Sequence, residues 1–346
     1  MNETTSQDEL MNSMKVSKAV AQMAIPSVIS SLVTVVYNMA DTFFVGQTGD
    51  PLQVAAVSLT NPIFILFMAF ANMFGMGGSA VASIAMGEQN EKRVKNTSAF
   101  VTYASLFVGV IFTLILFLFM NPILSVFGAN VQTYDLARGY MLHIAYGAPF
   151  IIWSAAASFV VRAEGASKEA MIGSMIGTFA NIILDPVFIS VFGMGAAGAA
   201  IATTLGNILA SLYYLWYFLK KSLRFSIHPK YFQCKNHLLT QVCATGIPTA
   251  IFSALMSIST IVLNQILVAY GNAPVAAIGI VFKANMFISF LQMGLANGVQ
   301  PLLGYNYGSG NHVRFVSIER FTKKCCLIVG VLSTILFFVL REPIIR

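Results

Sequence analysis

Nine long apolar runs, separated by loops that are alternately basic and free of basic residues, leave this chain few ways to fold. The runs fall near 19–46, 54–86, 97–121, 136–161, 169–192, 196–219, 239–270, 274–305 and 322–340. A helix needs roughly 20 apolar residues to cross the hydrocarbon of a bilayer. Several runs exceed that, so tilt or extension beyond the bilayer is expected. None alternates with the period of two that marks a barrel strand, so helices are expected. Composition points the same way. The chain is 57% hydrophobic and 10% charged, against about 25% charged in soluble domains. So much apolar surface cannot hide in one water-soluble core. An all-α polytopic membrane protein is expected, in contact with the lipid bilayer.

The net charge of +7 would suit a nucleic-acid partner if the basic residues clustered. They mark alternate loops instead. Sixteen of the 20 basic residues lie in the amino-terminal tail and in the loops after runs two, four, six and eight. They are Lys15 and Lys18; Lys92, Arg93 and Lys95; Arg162 and Lys168; Lys220, Lys221, Arg224, Lys230 and Lys235; and Arg314, Arg320, Lys323 and Lys324. The loops at 46–53, 121–135, 193–196 and 271–274 hold none. The positive-inside rule then puts the amino terminus in the cytoplasm of a multi-pass protein of the cell (inner) membrane. No nucleic-acid partner is expected. Lys283, inside run eight, is expected to snorkel toward the interface.

The first 18 residues are polar and of mixed charge, and no removable signal peptide is expected. Cys234, Cys243, Cys325 and Cys326 lack zinc-type spacing and are read as reduced.

The chain also repeats itself. Ile25-Pro26-Ser27 matches Ile247-Pro248-Thr249 at an offset of 222. Val54-Ala55-Ala56-Val57 matches Val275-Ala276-Ala277-Ile278, and Gly87, Asn90 and Arg93 match Gly308, Asn311 and Arg314, at an offset of 221. A unit of six spans, an even number, starts its copy on the same side of the membrane, giving a parallel repeat. The expected plan is a cytoplasmic tail at 1–18, an amino-terminal lobe at 19–219, a linker at 220–238 and a partial second lobe at 239–346. On this count the second repeat is incomplete, lacking about three helices of its twin.

Only two of the 13 acidic residues, Asp41 and Asp185, fall inside spans. A carboxylate in a lipid-length segment costs about 2.5–3.5 kcal/mol on insertion scales, so it faces a wet cavity or a bundle interior. The alternative for Asp41 is an acid near a helix end that reaches the interface. Asn181 and Asp185 are four residues apart and share a helix face, as do Tyr37 and Asp41. Pro186 cannot donate to the carbonyl of Ile182, which frees a further oxygen there. The alternative is that Asn181 and Asp185 only cap a kinked helix. At 1.5 Å per residue, Asp41, Asp185 and Thr203 all lie within ~8–12 Å of the outer interface. Carboxylate, amide and carbonyl oxygens suit a small hard cation or a proton. The repeat sets Leu263 or Asn264 against Asp41, so this chemistry belongs to one lobe.

These segments resemble the multidrug and toxic compound extrusion (MATE) family, nearer its DinF-like and MepA-like members. The resemblance rests on Ile25-Pro26 with Tyr37 to Gly46, Arg162-Ala163-Glu164-Gly165, Asn181 to Pro186, Gly195 to Ala200, and Gln300-Pro301. It implies twelve helices in two six-helix lobes. It implies a secondary active antiporter, exporting organic cations in exchange for Na+ or H+, with no cofactor beyond the coupling ion. It carries the family's cation site onto Asp41, Asn181, Asp185 and Thr203, which would hold Na+ if sodium is the coupling ion. Tyr37 and Asn38 stand beside them as cavity residues. Partners implied are small lipophilic cations, and the protein is expected to be a monomer. The 17 methionines and 28 phenylalanines suit an adaptable apolar cavity, although lipid-facing and core positions account for most of them.

Other readings stand beside this one. A lipid-linked saccharide flippase of related architecture would want a strongly basic cavity, for which Lys283 is the sole candidate. An intramembrane enzyme would use Asp41 and Asp185 as an aspartyl pair, or pair a serine with His143, but would have no use for a duplication. An inactive fragment that merely inserts is the last. No catalytic residue is expected.

Overall fold

The computed structural model describes residues 3–233, 238–268 and 272–339. Among these the chain is helical, and its long helices follow the apolar runs. They are α2 (Val16–Gly46), α3 (Pro51–Gly87), α4 (Glu91–Leu118), α6 (Tyr134–Ala163), α7 (Ser167–Pro186), α8 (Gly195–Trp216), α9 (Leu238–Val268), α10 (Asn272–Gly308) and α11 (His312–Val339). Two short helices join them, α1 (Glu3–Asn12) and α5 (Met120–Val126). Among the described residues, seven helices have the length and hydropathy to cross a membrane. α9 and α10 carry side chains that lie partly outside the described residues.

The amino-terminal tail carries α1 over most of its length, and the sequence-based boundaries need three corrections. The loop at 121–135 contains α5. The helix over run nine begins at His312, ahead of the apolar stretch, so α11 carries Arg314, Arg320, Lys323 and Lys324, which the charge pattern assigns to a loop. Arg162 is not a loop residue. It lies in the last turn of α6 at 7% exposure, over the ring of Phe159.

Local chemistry sets these ends. Asp50 caps α3 by accepting from Leu52 N at 2.9 Å, with Pro51 in the first helical position. Asn90 caps α4 through Arg93 N at 3.0 Å, and Asn311 caps α11 through Arg314 N at 3.1 Å. The repeated asparagine thus does the same work in both units. Helix lengths repeat as well: 31 residues in α2 and α9, 37 in α3 and α10, and 28 in α4 and α11.

The first unit packs around α6, the most enclosed of its helices, whose Ile151, Ile152, Ala156 and Val160 are fully or almost fully buried. Small residues let backbones approach closely, as membrane helices require. A Cβ on Gly109 of α4 would lie 2.4 Å from Pro149 Cα of α6. Thr113, one turn on, donates to Ala145 O of α6 at 2.7 Å.

The two units meet through α2, α3, α9 and α10, and their closest approaches use paired glycines. A Cβ on Gly87 would sit 2.1 Å from Tyr305 O, and one on Gly308 2.1 Å from Ile84 O. Gly77 presses on Val242 O, and its repeat partner Gly298 on Ala24 Cα. This seam lies at the end of the bundle where the basic loops gather. At the opposite end, α2 exposes Val36, Met39 and Phe43. Cys243, Cys325 and Cys326 are free thiols, and Cys234 lies outside the described residues.

Candidate functional site

The site begins with the pairing of α7 and α8. A Cβ on Gly177 would lie 2.9 Å from Gly206 O, and one on Gly206 2.6 Å from Gly177 O. Two glycines facing each other bring the helix axes together and set Asn181 of α7 directly beside Thr203 of α8. The bend after Asp185 follows from Pro186. The backbone there passes into a wider π turn, Val187–Val191, closed by Phe192 N to Val187 O at 2.9 Å. Gly198 of α8 fits against Phe188 of that turn, where a Cβ would meet carbonyl carbon at 2.7 Å. The far end is fastened by Gln53, whose Oε1 accepts from Ala196 N at 2.8 Å.

Asp185 is 0% exposed, Asn181 3% and Thr203 4%. The Asn181 amide is satisfied in one orientation. Its Nδ2 then donates to Asp185 Oδ2 at 2.9 Å, and its Oδ1 accepts from Thr203 N at 2.9 Å and Thr203 Oγ1 at 3.2 Å. Tyr37 of α2 places its hydroxyl 3.5 Å from Thr203 Oγ1. The other Asp185 oxygen, Oδ1, has no hydrogen-bond partner among the described residues. A buried, unpaired carboxylate oxygen is uncommon and calls for something to neutralise it.

Asp41, one turn beyond Tyr37 on the same face of α2, is half-buried and lies within electrostatic reach of Asp185 and Tyr37. Asn38 is half-buried on the same helix. Three helices therefore bring Tyr37, Asp41, Asn181, Asp185 and Thr203 to one level. Carboxylate, hydroxyl and amide oxygens form a hard donor set, suited to a proton or a small cation as cargo. The amide oxygen already serves Thr203, so its direct use by a cation needs the Asn181 side chain to turn.

Sequence reasoning missed two contributors. Tyr140 of α6 stands within electrostatic reach of Asp41, Tyr37 and Asp185. Its one sequence signal is position: an aromatic hydroxyl six residues into α6, at the depth of the two acids. Asn207, a turn below Thr203, donates to Thr203 O at 2.8 Å and accepts from Ser154 Oγ at 3.0 Å. It continues the polar row into α6.

The remaining candidates are engaged elsewhere. His143 Nδ1 lies 2.7 Å from Gly139 O, and His143 O accepts from Thr204 Oγ1 at 3.0 Å. That use is local and structural. The side chain of Lys283, expected to snorkel, lies outside the described residues, as does that of Asn264. Among the described residues no group of three or more His, Cys, Asp or Glu is arranged to hold a metal ion.

A family profile described as MatE matches residues 26–187 and 248–346. The multidrug export protein MepA of Staphylococcus saprophyticus is 32% identical over 330 residues, covering 95% of this chain and 73% of that protein. MepA of Staphylococcus aureus strain NCTC 8325 is 34% identical over 292 residues, covering 84% of this chain. The chain spans 65% of that second relative's length. Among solved structures, a crystal structure of MATE in complex with MaD3S superposes with a TM-score of 0.93 at 25% identity, covering 98% of this chain and 76% of that one. An outward-facing conformation of a multidrug resistance MATE family transporter of the MOP superfamily superposes with a TM-score of 0.91 at 25% identity, covering 97% and 74%.

Proposed function

The chain belongs to the MATE family of multidrug efflux transporters, and from that premise we propose that it is built as a secondary active antiporter whose coupling cation binds between Asp41 and Asp185. One observation carries the proposal. Asp185 is fully buried, held through one oxygen by Asn181, and its other oxygen is unpaired among the described residues beside a second acid. Two carboxylates in a low-dielectric site cannot both stay charged cheaply, so they draw in a proton or Na+. Asp185 supplies Oδ1 and Asp41 the facing carboxylate. Tyr37, Tyr140 and Thr203 supply hydroxyls. Asn181 orients Asp185.

The division into an amino-terminal lobe at 19–219 and a second at 239–346, with the amino terminus in the cytoplasm, supports alternating access. The glycine seam closes the basic end, and the cation site lies toward the other, as in an outward-facing state. Cation binding drives the cycle only by favouring one state over the other. Small lipophilic cations are the proposed cargo, in keeping with the multidrug export named for the staphylococcal relatives. The lipid bilayer of the cell membrane is its setting, the protein works as a monomer, and the chemistry is transport and not catalysis.

The test is cation-driven efflux of a fluorescent lipophilic cation from proteoliposomes carrying the full chain. Asp41→Asn is expected to abolish efflux while insertion, read by protease protection, is unchanged. Undiminished efflux in that variant, or none from the unsubstituted chain, overturns the reading.

A further inference from the structure

At the basic end, both units hold on to the same ten-residue helix. Leu10 and Met11 of α1 are buried, at 2% and 3% exposure. Their side chains lie against Gly165 of the first unit, where a Cβ would sit 3.1 Å from Met11 Cε and 3.6 Å from Leu10 Cδ2. A helix leaves its last carbonyls without partners, and cationic side chains favour that end. Here the partners come from the second unit. Asn306, 0% exposed, donates from Nδ2 to Met11 O at 3.1 Å. Arg314 donates from Nε to Met11 O at 3.2 Å and from Nη2 to Leu10 O at 3.4 Å.

The first unit holds the other side of α1. Asp8 pairs with Arg224. Arg224 is itself fixed, because buried Glu164 accepts from Leu223 N and Arg224 N at 2.8 Å, Ser222 Oγ at 2.9 Å and Tyr217 OH at 2.6 Å. A carboxylate with four donors is a strong anchor. It ties the stretch after α8 to the end of α6. The repeat partner of Arg314 reaches across in the opposite sense: Arg93 donates from Nη2 to Gln241 Oε1 of α9 at 3.0 Å.

We infer that α1 is a strap across the seam, keeping the two units closed at the basic end, with Arg314 and Asn306 as its positioning residues. One guanidinium and one amide of the second unit hold a helix that the first unit anchors through Arg224. The seam cannot part unless that set of hydrogen bonds is released. The strap itself is read from contacts. Its part in a transport cycle rests on the antiport reading above.

The experiment uses the full chain in proteoliposomes with Cys234, Cys243, Cys325 and Cys326 replaced by serine. Ser83→Cys serves as reporter, because Ser83 is fully buried and its Cβ lies 2.7 Å from a Cβ built on Gly304, at the seam. Ser105→Cys is the control, fully buried inside the first unit. In Arg314→Ala, amide exchange over residues 7–14 is expected to rise roughly tenfold, the scale of losing hydrogen bonds to a charged group. Maleimide labelling of Ser83→Cys is expected to rise with it, while Ser105→Cys stays protected. Arg314→Lys keeps the charge but not the two-pronged grip, and is expected to fall between. It decides the matter if Arg314→Ala does not fold. Unchanged exchange overturns the strap. Faster exchange with unchanged labelling of Ser83→Cys, or equal exposure of both reporters, overturns its role in closing the seam. If both readouts respond while the unsubstituted chain moves no cation, the strap stands and the antiport reading falls.

Discussion

The helices α2–α4 and α9–α11 are the same scaffold written twice, yet only the first copy brings an acid, Asp41, to the site at Asp185. Lengths agree helix by helix, and both α4 and α11 begin on an asparagine cap. Gly87 and Gly308 each let the other's helix approach. The chemistry differs. Asp41 of α2 faces Asp185, whereas its repeat position holds Leu263 or Asn264. The packing differs too. Gly109 and Thr113 of α4 lie against α6. Their counterparts on α11, Gly330 and Thr334, line an open groove of about 720 Å³ between α10 and α11. The seam glycines Gly77 and Gly87 and the cap Asn90 with its Arg93 kept their identity in both copies, whereas Asp41 did not.

That contrast can be broken most decisively at the acids. Asp185→Asn is expected to weaken cation-dependent binding of a lipophilic cation roughly a hundredfold, the scale of about 3 kcal/mol for a buried charged partner. Leu263→Ala, at the repeat position of Asp41, is expected to stay within about twofold. Equal losses in fluorescence titrations of the two variants would mean that the site spans both units.

The glycines come next. Gly109→Ala is expected to lower stability by about 1–3 kcal/mol, because its Cβ would meet the Pro149 backbone. Gly330→Ala finds only Gln292 Nε2, at 3.7 Å, so helix propensity decides and the variant is neutral or gains up to about 1 kcal/mol. Thermal unfolding in detergent reads both, and a matching loss at Gly330 would show that the groove on α11 is already filled.

The smallest effect concerns the threonines. Thr113→Val is expected to lose about 0.6 kcal/mol with its bond to Ala145 O, a usual value for membrane proteins. Among the described residues Thr334 bonds only to Gly330 O within its own helix, and its valine variant is expected to be indistinguishable from the unsubstituted chain by the same melts.

Much of this was legible before the fold. Apolar runs and alternating loop charge locate the long helices because hydrocarbon thickness and backbone hydrogen bonding leave little choice. The i, i+4 spacing of Asn181 and Asp185 puts both on one buried face, since a helix fixes that geometry by itself. What stayed hidden depends on contacts across the sequence. Tyr140 is one aromatic among many until the fold brings it within electrostatic reach of Asp41 and Asp185. The orientation of the Asn181 amide needs Thr203 in place on α8. α1 looks like a polar tail, because its last carbonyls are satisfied by Arg314 and Asn306 from about three hundred residues away. Arg314 and Arg162 read as loop charge. One grips a helix end, and the other is buried over Phe159.

The crossing of Gly87 with Gly308 carries a historical consequence. Each glycine touches the helix of the other, the reciprocal pattern of an isologous contact between identical subunits. A single-unit ancestor pairing with its own copy would have needed just one such glycine, used twice. Two copies joined in one chain can keep such a reciprocal seam while each half varies its acids independently.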